Sequence, residues 1–269
     1  MGKFTLQTGL MAAALLATSF ASAGIDFKTN LTGYNFNAEA ANVLNGYVGT
    51  FTYNNQNYGQ GVNNAMNLTA LPAGLTRAHA NPTSPNKNAT YVFYKQANSV
   101  VIGNAARGLN EFNDRQFTKA VVGTPTAKST LPATATYTYK GDIFNHINST
   151  AGGLNYTVNV NNGSVTGSGS VSGITGKRPS GGVVGTFNIS GTLDQVTFDS
   201  NLKATGNATL TYVDGAGSFA LQDTKYDIGL FGAGAAEVAG GIYTDAATAS
   251  AATDNLQQLT GGYGFAGKQ

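Results

Sequence analysis

The chain has 269 residues, 15 Lys and Arg against 13 Asp and Glu, and charged side chains at only 10% of positions. So small a net charge excludes a protein held to nucleic acid by its phosphates, which needs a cationic face. The absence of cysteine excludes disulfides and leaves no residue to carry the lipid of a bacterial lipoprotein.

In chain order, the first element is a leader. Lys3 supplies a short positive region, the apolar run 10–20 follows, and Ala21-Ser22-Ala23 is a small-residue cleavage site. These are the parts of a secretory signal, and the apolar run is too short for a membrane span. Residues 24–269 are then the mature, secreted chain, an expectation with no lipid anchor attached to it.

With 36 Gly, 6 Pro and no long helical period, the mature chain reads as all-β. Residues 24–122 are the less regular half. YVGTFTY, TYVFYK and NSVVIGN read as strands, and AEAANVL (38–44) as one short helix. The Asn-rich, Pro-punctuated stretch from Gln56 to Lys87 reads as a long loop of the functional kind. The aromatics Tyr91, Phe93 and Tyr94 read as core. The segment 123–135, with two prolines and small polar residues, reads as a linker. We place a domain boundary there, with residues 24–128 before it and 129–269 after it.

Downstream, apolar residues alternate with polar ones. Ala135, Tyr137 and Tyr139 share a face, as do Tyr156, Val158 and Val160. Phe187/Ile189, Val196/Phe198, Leu210/Tyr212, Tyr226/Ile228/Leu230 and Tyr263/Phe265 repeat the pattern. A period of two buries one face and wets the other. NNGSVTGSGSVSG and KRPSGG read as turns and bends. About eight strands in ~140 residues suit a small closed antiparallel barrel, which has no exposed edges. The outward positions carry Thr, Asn, Asp and Lys, so the barrel reads as soluble rather than lipid-facing.

Three stretches carry a family resemblance: Y-T-Y-K-G-D from Tyr137 to Asp142, L-F-G-A-G-A-A-E-V-A-G-G from Leu230 to Gly241, and G-Y-G-F-A-G-K from Gly262 to Lys268. Together they resemble the C-terminal barrel of the transferrin-binding protein B family and its single-lobed relatives, the hemophilins. The resemblance covers the second half of the chain well and the first half only by architecture. It implies an N-terminal handle domain followed by a soluble eight-stranded antiparallel β-barrel. It implies that the turn before Glu237 closes one rim, with Glu237 meeting backbone donors of a helix start or a neighbouring loop. It also implies a monomeric hemophore that captures heme, is exported by a Slam-type translocon and delivers heme to a TonB-dependent receptor, with host hemoproteins as a source.

Heme iron takes His, Met, Cys or Tyr as axial ligand. Beyond residue 23 the inventory is His79, His146, Met66 and thirteen tyrosines. His79 lies in the stretch read as a loop, two residues from Arg77, whose guanidinium suits a propionate. His146 follows the first barrel strand, flanked by Phe144 and Ile147 as porphyrin-packing residues. One or both histidines as iron ligands remain open at this point. No catalytic arrangement stands out, since two histidines without cysteine leave little room for a Ser/His/Asp or zinc site. Two other readings stand beside heme transport. One is a secreted host-interaction protein that binds a host protein through handle loops. The other is a barrel that carries another apolar small molecule.

Overall fold

The structure is a computed structural model that describes residues 24–36, 50–59, 61–80, 88–107, 115–144, 152–180, 183–221, 223–244 and 262–269. The upstream half holds β1 (Asp26–Lys28), β2 (Tyr34–Asn35), β3 (Thr50–Tyr53), β4 (Gln56–Gly59), β5 (Ala65–Met66), β6 (Gly74–Ala80), β7 (Asn88–Lys95), β8 (Ser99–Arg107) and β9 (Arg115–Gly123). The downstream half holds β10 (Thr134–Phe144), β11 (Gly152–Asn161), β12 (Ser164–Ser180), β13 (Val183–Thr197), β14 (Lys203–Asp214), β15 (Gly217–Leu221), β16 (Thr224–Phe231), β17 (Glu237–Thr244) and β18 (Tyr263–Lys268). Among the described residues the only helical pieces are short 3-10 turns.

The upstream strands form a seven-stranded sheet in the order β1-β9-β8-β7-β6-β3-β4, with β1 parallel to β9. β2 and β5 pair separately. Under one face of this sheet, Phe36, Phe51, Tyr58, Met66, Tyr91 and Phe93 make an aromatic core. Phe36 meets Tyr34, Phe51 and Tyr91 edge-on at centroid distances of 4.7, 5.0 and 5.4 Å, the arrangement that ring quadrupoles favour. Met66 is therefore core. The other face of the sheet carries Val92, Val101 and Val121, and it packs on the barrel.

The barrel is closed and antiparallel. Its order is β13-β12-β11-β10-β18-β17-β16-β14, and β14 pairs back with β13. β15 is an extra strand on the far half of β14. Inward positions are those of the alternating pattern: Tyr139, Tyr156, Val158, Val160, Ile189, Tyr212, Tyr226, Ile228 and Phe265 are all buried. The fold is the all-β handle-and-barrel arrangement expected from the sequence.

Three sequence expectations are corrected here. SVTGSGSVSG is continuous strand within β12, bent at two bulges near Gly167/Gly169 and Val171/Ile174. Gly167 and Gly169 mark contacts rather than turns, because a Cβ on them would stand 2.7 and 2.5 Å from the Tyr156 ring, and Gly173 takes a positive φ (66°) at the second bulge. The stretch from Gln56 to Lys87 is not one long loop. It contains β4, β5 and β6, and its residues 81–87 lie outside the described residues. The segment after β9 is not a free linker: Thr126 N–H donates to the Leu230 carbonyl (3.0 Å) and Gly232 N–H to the Thr124 carbonyl (2.9 Å). The helix expected over 38–44 also lies outside the described residues.

Candidate functional site

The candidate site is the junction where the upstream sheet lies against β16, β17, β18 and the end of β10. Its construction begins at the turn between β16 and β17. Leu230 and Phe231 end β16, the chain bends through the 3-10 turn Ala233–Ala235, and Glu237 begins β17. The bend needs positive φ at Gly232 (78°) and Gly234 (61°), which glycine adopts without a steric penalty. Ala235 is buried against the barrel core, and its carbonyl accepts from the Tyr139 hydroxyl at 2.6 Å. The turn thus covers that rim of the barrel.

Glu237 leaves the turn pointing away from the barrel interior. Its carboxylate accepts from Asn98 N–H (3.0 and 3.1 Å), Asn98 Nδ2 (3.0 Å) and the Ser99 hydroxyl (2.8 Å). Asn98 ends the tight turn from β7 to β8, and Ser99 is the first residue of β8. The partner is therefore a neighbouring loop, one of the two kinds expected. Charge-assisted bonds of this type are about twice as strong as neutral ones. Gln96 adds a bond from Nε2 to the Val238 carbonyl at 3.1 Å.

Small residues let the two sheets approach. Ala239, Gly241, Gly264 and Ala266 occupy outward barrel positions, and each is buried. A Cβ on Gly241 would stand 2.6 Å from the Thr118 hydroxyl, and one on Gly264 would stand 2.4 Å from the Phe144 ring. Ile25, Val92, Val101, Val121, Phe144 and Phe231 fill the remaining space.

Further along the junction, Tyr94 of β7 stacks on Phe144 of β10 at a centroid distance of 4.8 Å and an interplanar angle of 9°. The Tyr94 hydroxyl donates to Asp142. Burial, and then the Asp142 carboxylate, raise the Tyr94 phenol above its ordinary value. Beside this stack a cleft of about 740 Å³ opens between the domains, walled by Tyr94, Lys95, Gln96, Lys140, Asp142 and Lys268 among others.

Strand β6 continues this face of the sheet. Leu75 pairs with Tyr94 and Arg77 with Val92, so these side chains lie on the barrel-facing side. Yet Leu75 is 43% exposed and Arg77 is exposed too. The sheet therefore extends beyond the area that the barrel covers.

The residues read from the sequence fall as follows. Arg77 is on β6, on the face described. His79 is in the same strand, opposite Thr52 of β3, and not in a loop. GLTRAHA shows no strand pattern in the sequence because its apolar Leu75 faces outward and its small Thr76 and Ala78 face the core. Phe144 is buried and holds Tyr94 in place. His146 and Ile147 lie outside the described residues. The sequence reading missed Leu75 and Asp227, and it placed in the core Tyr94, which is half-buried at the junction. Asp227 left a signal: it is the one acid inside an otherwise apolar strand, Tyr226–Phe231. Among the described residues no group of three or more His, Cys, Asp or Glu could hold a metal ion. Among them, too, no helix is long and apolar enough to cross a membrane.

Residues 129–242 match the family model described as factor H binding protein, C-terminal. The match spans the barrel from its first strand into β17, which is less than half of the chain. The chain is also similar to a solved structure of a double mutant of the vaccine antigen transferrin binding protein B from Haemophilus parasuis Hp5. The TM-score is 0.40 and the identity 16%, with 82% of this chain and 40% of that one covered. The chain thus spans well under half of that structure. No curated protein matches.

Proposed function

We propose that the protein is a secreted heme carrier, with heme as cargo held where β6 runs past the barrel. The observation that carries this reading is the exposed strip of β6. An apolar side chain, Leu75, and a guanidinium, Arg77, stand side by side on it, next to the Tyr94–Phe144 stack. A porphyrin is an apolar plate with two carboxylates, and it asks for that pairing of surfaces. Covering it would stabilise binding by ~25 cal/mol per Å² of apolar area removed from water. The strip belongs to the strand that contains His79, and the chain reaches His146 two residues after Phe144. In this reading His79 and His146 are the iron ligands, and two imidazoles would close the iron to oxygen chemistry and suit transport. Slam-type export and a TonB-dependent receptor as acceptor belong to the same reading.

The test is the absorption spectrum of the full mature chain mixed with hemin. A low-spin Soret band is expected. His79→Ala and His146→Ala should each turn it high-spin and weaken retention, and Leu75→Asp should weaken retention without altering the spin state. A spectrum unchanged by one histidine substitution leaves a single-histidine site. No hemin spectrum at all abandons the reading in favour of a host-protein partner, the kind of ligand named in the matched family's description.

A further inference from the structure

A carboxylate on the outside of the barrel is buried without a cation. Asp227 of β16 is 4% exposed. It accepts from Ile25 N–H at 2.7 Å, the Thr205 hydroxyl at 2.6 Å and the Tyr243 hydroxyl at 3.2 Å. All three donors are neutral, and among the described residues no cationic side chain pairs with it. Buried carboxylates are costly unless they are both hydrogen-bonded and charge-paired. On the neighbouring strands, Lys28 pairs with Asp26 at 3.4 Å and Lys203 lies over the Phe27 ring at 5.2 Å.

The residue beside Asp227 is Gly24. A Cβ there would stand 2.8 Å from Asp227 Oδ2 and 3.8 Å from the Tyr243 hydroxyl, so the main chain at 24 runs against the carboxylate. Gly24 is also the residue that follows Ala21-Ser22-Ala23. Cutting the 23–24 peptide bond by hydrolysis turns an amide nitrogen at this place into an α-ammonium. We propose that Asp227 is a binding site for the chain's own new N-terminus: removal of the leader creates the Gly24 ammonium, which pairs with Asp227 and locks β1 onto β16. Before cleavage residue 24 carries no charge, and the carboxylate keeps only neutral donors. Leader removal thus completes the junction between the first strand of the upstream sheet and the barrel, 203 positions away in sequence from Gly24 to Asp227.

The site accounts for three features together. Glycine at 24 leaves room for the carboxylate. Asp227 interrupts an apolar strand. β1 is short and is the one parallel strand of its sheet, so it gains from a tether at its start. The inference does not depend on what the protein carries, and no ligand enters its test.

The experiment compares the mature chain starting at Gly24, released from a fusion by a protease that leaves no extra residue, with a chain that keeps Ser22-Ala23. Each is made with Asp227 and with Asp227→Asn, which retains an acceptor for Ile25 N–H. Urea unfolding should show an unfolding constant at least fivefold larger for the extended chain, and Asp227→Asn should abolish that ratio. A ratio below fivefold, or one that persists in the Asn background, overturns the proposal. If the Asn variants do not fold, titration of the Gly24 amine in the unaltered mature chain decides. An amine titrating half a unit or more above the ordinary 7.7–8.0 supports the pair, and one below that threshold overturns it. A native N-terminus found by sequencing at any residue other than Gly24 overturns it as well.

Discussion

Strands β10–β14 and strands β16–β18 belong to one closed sheet, yet they use their outer faces in opposite ways. On β11, buried Leu154, Tyr156, Val158 and Val160 alternate with wet Asn155 and Asn159 and half-buried Thr157. On β16 every residue from Tyr226 to Phe231 is buried, and on β18 every residue from Tyr263 to Gly267. The inner faces are alike, filled by large apolar side chains and tyrosines. The difference lies outside: β11–β14 and most of β10 meet solvent there, whereas β16–β18 and the end of β10 meet a second sheet. A sheet face that packs on another sheet must give up bulk where the backbones come closest. Gly241, Gly264, Ala239 and Ala266 sit at those places. The sequence cue for a protein-covered barrel face is therefore a run of glycine and alanine at outward positions. A lipid-facing barrel would place large apolar residues there.

The largest expected effect breaks the polar end of the covered face. Glu237→Ala leaves the Asn98 N–H and the Ser99 hydroxyl without their acceptor inside the junction. A loss of about 3 kcal/mol is expected, from hydrogen bonds to a charged group and the desolvation left behind. Glu237→Gln keeps one acceptor oxygen and should lose less. Urea midpoints at constant slope measure both, and a loss under about 1 kcal/mol for Ala would mean that the carboxylate does not tie the sheets.

Next comes bulk on the two faces. Gly241→Leu drives a side chain into Thr118 and Ile25, and overpacking of this kind costs about 1–3 kcal/mol. Thr209→Leu places the same side chain on the exposed outer face of β14, where changes stay within about 0.5 kcal/mol. Equal losses at the two sites would erase the distinction between the faces.

The smallest effect concerns Tyr94. Tyr94→Phe removes one hydrogen bond, to Asp142, at a cost of about 1 kcal/mol near neutral pH. Alkaline pH sharpens this. Burial raises Tyr94 at the junction and Tyr139, Tyr156, Tyr226 and Tyr263 in the barrel above the ordinary tyrosine value. A phenol whose pKa is raised on folding contributes stability below its unfolded value, about 10, and that contribution is lost as pH rises through the folded value. Unfolding free energy should thus be level from neutral pH to about 9 and then fall. Tyr94→Phe should reduce the slope of that fall only slightly, because the four barrel tyrosines remain. A curve that stays level above pH 10 would contradict the assigned burial of these hydroxyls.

How far each element could be read depended on its surroundings. In TATYTYK and NYTVNV the chain alternates because one side is wet, and both were legible. In GSGSVSG, Gly167 and Gly169 make room for Tyr156, a residue one strand away, and nothing local distinguishes that from a turn. In GLTRAHA the outward position holds Leu75 and the inward ones hold Thr76 and Ala78. The hydrophobic pattern is reversed, and the strand that contains His79 was hidden. Thr124–Thr126 looked like a linker because small polar residues are also what fit between Asn98 and the turn after β16.

Residue pattern alone settled the all-β class and the inward rows of the barrel, because both depend on local periodicity. The place of Glu237 at the rim came from the family resemblance of Leu230–Gly241. Tertiary structure decided which barrel strands are covered, that Glu237 reaches Asn98 and Ser99, and that Asp227 stands against the first residues after the leader. It also decided that Leu75 and Arg77 remain exposed beside the Tyr94–Phe144 stack. Each of these pairs partners about 20 to 200 positions apart, and no local pattern encodes a contact whose two halves are set by the docking of one sheet on another.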